Sequence, residues 1–173
     1  ALAGCGIWCP GEESSDIMDE PTSRFVHKQR WEGGMAMWAP VVGPGHSSSR
    51  AELAGVVLAL GLHKPLCIGI DNKAVVDKAS LLITKATSLQ GAGLGRNKCP
   101  HKKHWKLPND GDLWLVFWNG IAARGPTTIK VRKVKGHATD KMVEDGLVRI
   151  EDQTGNDQAD VAAGIGATAH QDG

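Results

Sequence analysis

The stretch Leu66-Cys67-Ile68-Gly69-Ile70-Asp71-Asn72-Lys73-Ala74-Val75 decides the fold of this chain. A short apolar run bounded by Pro65 on one side and Asp71-Asn72 on the other reads as a buried strand. Lys73 to Ile83 then returns as a helix. A strand feeding a helix is the unit of an α/β sheet, and in open sheets of that kind ligands bind beyond the carboxyl ends of the strands. Asp71 stands at such an end, so a carboxylate is placed where a site is expected.

Upstream, Leu53, Val56, Val57 and Leu60 recur at helical spacing, and Ser49 with Glu52 fits the S-x-x-E pattern of a helix start. Gly61 and Pro65 stop that helix. Farther upstream, three extended stretches (Gly4 to Cys9, Arg24 to Trp31 and Met35 to Val42) are broken at Pro10-Gly11, Gly33-Gly34 and Gly43-Pro44-Gly45. Turn residues at each reversal predict a three-strand antiparallel meander. Downstream, 84–110 shows no apolar period and reads as an irregular basic insertion. Asp112 to Ala123 predicts a helix with Leu113, Val116, Phe117 and Gly120 on one face, and Trp114 and Trp118 beside it read as core. Thr128 to Val134 alternates as a strand, 141–155 reads as an extended loop, and Asn156 to Ala167 closes as an alanine-rich helix. The expectation is an α/β fold with a mixed sheet, as a single domain over 1–170.

Composition narrows the function classes. With 173 residues and 41% hydrophobic content, the chain can bury one sizeable core. A formal charge of +1 gives no global field for nucleic acid, so any such argument rests on local patches. Four irregularly spaced cysteines read as reduced thiols, which favours an intracellular setting, nuclear or cytoplasmic unresolved. No apolar run reaches the length of a membrane span, so no membrane partner is expected. The chain starts at Ala1 and enters strand-like sequence almost at once, as a piece of a longer polypeptide would.

The carboxylates carry the chemistry. Glu52 at its helix start, Asp71 at its strand end and Asp160 on the last helix can gather at one end of the sheet. Oxygen ligands bind hard divalent cations, and two such ions on a phosphodiester activate water and stabilise the leaving oxygen. Each residue also has a plainer reading. Glu52 can be the capping-box partner of Ser49, while Asp71-Asn72 and Asn156 or Asp157 can cap the helices that follow them. His137 alone can be an ordinary surface histidine.

The segments Ser47-Ser48-Ser49-Arg50-Ala51-Glu52-Leu53, Ile68 to Val75, Asp112-Leu113-Trp114, Val134-Lys135-Gly136-His137-Ala138 and Asn156 to Ala163 together resemble the type 1 ribonucleases H, including copies carried by retrotransposons. The resemblance runs from Gly4 to about Ala167. It implies a ribonuclease H-like fold with Glu52, Asp71 and Asp160 as Mg2+ ligands, Mn2+ being the alternative ion. It makes His137 a mobile catalytic histidine and Asn156 a support for the last carboxylate. The implied reaction is hydrolysis of the RNA strand of an RNA/DNA hybrid, recognised by shape and 2′-hydroxyls. A reverse transcriptase is one candidate for the rest of the polypeptide. Arg50, Asn72, Lys102, Lys103, Lys106 and Lys135 are the expected contacts to nucleic acid, the lysines through phosphate.

Two departures stand out. The family's first strand carries a metal-bridging aspartate, yet only Ala1-Leu2-Ala3 precedes Gly4 here, so that strand and its acid are expected to be missing. The interval from His137 to Asp160 is also longer than the family's. The competing expectation is therefore a degenerate module that holds nucleic acid or a protein without cutting. A zinc site bridging Cys5 and Cys9 to Cys99, His101 and His104 is a weaker alternative, because these spacings match no common zinc module.

Overall fold

A computed structural model describes residues 3–11, 25–62, 65–92, 105 and 108–169. The elements run β1 (Gly4–Pro10), β2 (His27–Trp31), β3 (Gly34–Pro40), α1 (Ser48–Ala59), β4 (Leu66–Ile70), α2 (Lys73–Gly91), α3 (Gly111–Arg124), β5 (Ile129–Lys133), α4 (Asp140–Glu144) and α5 (Ile150–Thr168). They build a mixed α/β architecture: a three-stranded antiparallel sheet and a two-stranded parallel sheet, flanked by helices.

The antiparallel strands do not lie in chain order. β3 sits in the middle, giving β1-β3-β2. Composition explains the exchange, because β3 (GMAMWAP) is buried from Gly34 to Trp38 whereas β2 (HKQRW) is exposed from His27 to Arg30. An apolar strand gains most with a neighbour on both sides, and charged residues suit an edge. On one face of this sheet Trp8, Trp31, Trp38 and His27 form a row of rings with centroids 5.9 to 6.2 Å apart.

Two helices cover opposite faces of β1. α5 lies so close that a Cβ on Gly4 would come 2.2 Å from the Ala163 carbonyl, and one on Gly6 2.4 Å from that of Ala159. Only glycine permits that approach. On the other face, Gly55 of α1 brings its backbone against Gly6 and Ile7. The main core lies among α1, α2, α3 and the parallel strands, where Leu53, Ile70, Leu82, Phe117, Ile121 and Ile129 are each 3% exposed or less.

Helix α3 turns a different face inward from the one its sequence suggests. Trp114, Phe117, Trp118 and Ile121 are buried at helical spacing, whereas Val116 is 49% exposed. Helix α2 continues to Gly91, so 84–91 of the expected irregular insertion is helical. The hydroxyls of Thr84, Thr87 and Ser88 donate to carbonyls four residues back, and Ala86 and Leu89 join the core. The rest of the basic segment, apart from Trp105, Pro108, Asn109 and Asp110, lies outside the described residues. Nor is 141–155 an extended loop. It holds most of α4, a turn at Gly146 with positive φ, and the first turns of α5.

Among the described residues, β1 pairs only with β3 and β4 only with β5. Their other edges line a cleft of about 720 Å³, closed on one side by Gly55, Val56 and Ala59 of α1 and on the other by Gly155, Ala159 and Ala163 of α5. No described helix is long and apolar enough to cross a membrane.

Candidate metal centre

Glu52, Asp71 and Asp160 all line that cleft. Each arrives from a different element. Helix α1 starts at Ser48 with Ser47 as its cap, whose Oγ accepts from the Arg50 amide at 3.1 Å. Glu52 therefore sits in the second turn, not the first, and the capping box with Ser49 does not form. Ser49 Oγ instead accepts a bond from Asn72 Nδ2 at 3.0 Å. Glu52 shares a side-chain hydrogen bond with Asp71.

Asp71 follows β4 directly. It is not the cap of α2, because Asn72 Oδ1 takes that role by accepting from the Val75 amide at 3.2 Å. A Cβ at Gly136 would come 2.4 Å from Asp71 Oδ2, so the backbone after β5 lies against this carboxylate. Asp160 lies midway along α5 and not at its start, since the helix begins at Ile150. Asn156, one turn earlier, donates from Nδ2 to Asp160 Oδ2 at 3.3 Å. His137 is exposed, occupies the left-handed region at φ 50° and interacts electrostatically with Asp160.

Mutual repulsion shows in the proton affinities. Burial, then the charge of Asp71 and the bond shared with it, then Asp160, push the Glu52 carboxyl up to about 7, with Lys133 opposing. Asp160 is the most open to solvent of the three. Partial loss of hydration and the neighbouring Asp71 raise its pKa, and His137 opposes. Glu52 and Asp71 are the close pair and Asp160 stands off from them. As the side chains lie, no three His, Cys, Asp or Glu groups among the described residues are gathered tightly enough to hold an ion.

The expected nucleic-acid contacts divide. Arg50 is 1% exposed and turned inward, donating to Asp110 at 3.0 Å, to both oxygens of Asp112 at 2.9 and 2.6 Å, and to the Val42 carbonyl at 2.7 Å. It ties α1 to the start of α3, and its bond holds the Asp112 carboxyl below the usual range. The Asn72 side chain bonds inward to Ser49 and Val75. Lys135 is exposed beside His137. Lys102, Lys103 and Lys106 lie outside the described residues.

Three contributors escaped the sequence reading. Gly136 gives Asp71 its room, and Lys133 brings a positive charge toward Glu52. Gln153, 8% exposed, donates to the Ala138 carbonyl at 3.1 Å and to Asp140 at 2.9 Å, anchoring the loop that carries His137 to α5. Gln153 was hidden because its segment reads as loop, and the N-cap of α5 is Arg149, which makes no side-chain cap bond. Cys5 and Cys9 are free thiols that burial pushes up to about 11, a poor state for metal binding. Cys99, His101 and His104, the other members of the zinc alternative, lie outside the described residues. Comparison with protein-family models, curated proteins and solved structures finds no match for this chain.

Proposed function

We propose that this chain is the ribonuclease H-like part of a metal-dependent endonuclease that hydrolyses the RNA strand of RNA/DNA hybrids. The observation that supports the reading is that Glu52, Asp71 and Asp160, from three separate elements, line one cleft beside β4 and interact electrostatically. None of the three serves as a helix cap, and none forms a salt bridge with another described residue, which weakens the plainer roles for them. Their donor set fits Mg2+ or Mn2+, because all are carboxylate oxygens and hard cations prefer oxygen. Bound there, two such ions would polarise the scissile phosphate and activate water.

The chain's own residues do the rest. Asn156 orients Asp160, and Gly136 leaves the space that Asp71 occupies. His137, next to Asp160 and open to solvent, is placed to hold or release a proton at its imidazole. Lys135 supplies a phosphate contact beside it. The cleft between β1 and β4 also suits the view that a strand carrying a further acid belongs to the complete site.

One observation favours a second reading, a non-cleaving module of the same fold: among the described residues no three His, Cys, Asp or Glu side chains stand close enough together to hold an ion. Cleavage of a labelled hybrid in Mg2+ separates the two. The nuclease reading expects cuts in the RNA strand that Asp71→Asn removes by more than ~100-fold, beyond the 10–100-fold typical of residues that only support a ligand. Cleavage that survives Asp71→Asn, or hybrid binding without cleavage when an added acid-bearing strand fills the cleft, rejects it.

A further inference from the structure

Strand β5 carries three cations, Lys130, Arg132 and Lys133, and sorts them by face. Successive side chains of a strand point to opposite sides of the sheet. Ile129 and Val131 turn into the main core, which α1, α2 and α3 share. Lys130 and Arg132 therefore lie on the other face, toward α5, where Arg132 is bound to both carboxylate oxygens of Asp152. Lys133 is in phase with Ile129 and Val131, so it emerges on the side of α1, the helix that bears Glu52.

Position along the strand matters as much as face. In the parallel pairing Lys133 stands opposite Ile70, the residue before Asp71, and the Val134 amide donates to the Ile70 carbonyl at 3.0 Å. Lys133 is thus at the carboxyl end of β5, level with the end of β4 that leads into Asp71. The side chain is exposed and its ammonium donates to the Val134 carbonyl. Among the described residues it forms no salt bridge. Its charge nevertheless acts on Glu52.

A polyanion that approaches three carboxylates meets repulsion, and cations at the same place offset it. Arg132 is already committed to Asp152, and Lys130 is turned to the opposite face, three residues short of the strand end. Lys133 combines the face of α1, the end of the strand and an ammonium that no described carboxylate holds. Lysine is a point charge on a flexible stem, suited to following a phosphate.

We propose that Lys133 is a substrate-binding residue of this site, its ammonium contacting a backbone phosphate of the nucleic-acid strand that lies over Glu52 and Asp71. The proposal rests on the nuclease reading and adds to it the residue that holds the strand against its acids. Lys135, exposed beside His137, then serves a different phosphate from Lys133.

The test reads binding without cleavage. A labelled RNA/DNA hybrid is titrated with the Asp71→Asn chain in EDTA, and fluorescence anisotropy follows the affinity as NaCl is raised. Lys133→Met in that chain is expected to make the slope of log K against log[NaCl] shallower by about 1, the signature of one lost phosphate contact. Lys133→Arg is expected to keep the slope, and Lys130→Met, on the opposite face, to leave it unchanged. An unchanged slope in Lys133→Met overturns the proposal, and so does an equal shallowing in Lys133→Arg or Lys130→Met, which would reduce the effect to general charge. Tighter Mg2+ binding by Lys133→Met in the chain with its native acids, with no change in slope, also overturns it and leaves Lys133 a counterion of Glu52. In each of these cases the hybrid still binds, and the cleavage assay judges the nuclease reading separately. No hybrid binding by either the parent chain or Asp71→Asn overturns both.

Discussion

Arg50 and Glu52 lie two residues apart on α1 and have opposite electrostatic fates. Arg50 is buried with its charge answered by Asp110 and Asp112, which also receive what they need. Glu52 faces Asp71 and Asp160, and among the described residues Lys133 offsets them. One helix thus carries a closed charge network toward α3 and an open one toward the cleft. The closed network supplies structure. The open one retains unspent repulsion, which a cation or a proton would relieve, and such sites are where function is sought.

The comparison breaks most severely at Arg50. Arg50→Ala removes the buried partner of Asp110 and of the half-exposed Asp112, and a loss of about 1.5–3 kcal/mol is expected from chemical denaturation. A small loss, with weakened hybrid binding instead, would move Arg50 back to the nucleic-acid surface.

The open network gives the opposite sign. In metal-free buffer the Glu52 pKa is raised from 4.5 to about 7, so the folded state binds more protons than the unfolded state in that interval. Stability contributed by protonated Glu52 is complete below pH 4.5 and is lost as pH rises through 7. A shift of this size corresponds to up to about 3 kcal/mol. Glu52→Gln should remove that slope and stabilise the protein at pH 8, read from Tm against pH. An unchanged slope would mean that the repulsion does not bear on folding.

Cation binding sharpens the same contrast. Mg2+ at about 100 times its dissociation constant should stabilise the protein by about 2.7 kcal/mol, seen as a rise in Tm at pH 8. Asp71→Asn should abolish the rise, whereas Arg50→Lys should retain it. Smaller still is the effect of the support to Asp160. Asn156→Ala should lower Mg2+ affinity or cleavage by about 10–100-fold while leaving the melt of the metal-free protein nearly unchanged.

Legibility in the sequence followed the same division between local and distant causes. The strand from Leu66 to Ile70 and the carboxylate after it could be read because an apolar run and its stop are adjacent in the chain. That Glu52, Asp71 and Asp160 line one cleft follows only from their order along the fold. What could not be read depends on partners far away. β3 takes the centre of its sheet because β2 is the more polar, a comparison between strands that turn signals do not make. The inward turn of Arg50 requires Asp110 and Asp112, sixty and sixty-two residues on, to meet it. The extension of α2 was masked by Thr84, Thr87 and Ser88, polar side chains that satisfy themselves on their own helix. The start of α5 was missed because nothing at Arg149 announces it.

The glycines of β1 act as a ruler. If that strand slid by a single residue along β3, its faces would exchange, and the side chains of Cys5 and Ile7 would be driven toward α5, where even one added carbon at Gly4 or Gly6 comes within 2.4 Å of a carbonyl. Slippage is thereby barred, and β1 keeps a single frame against β3.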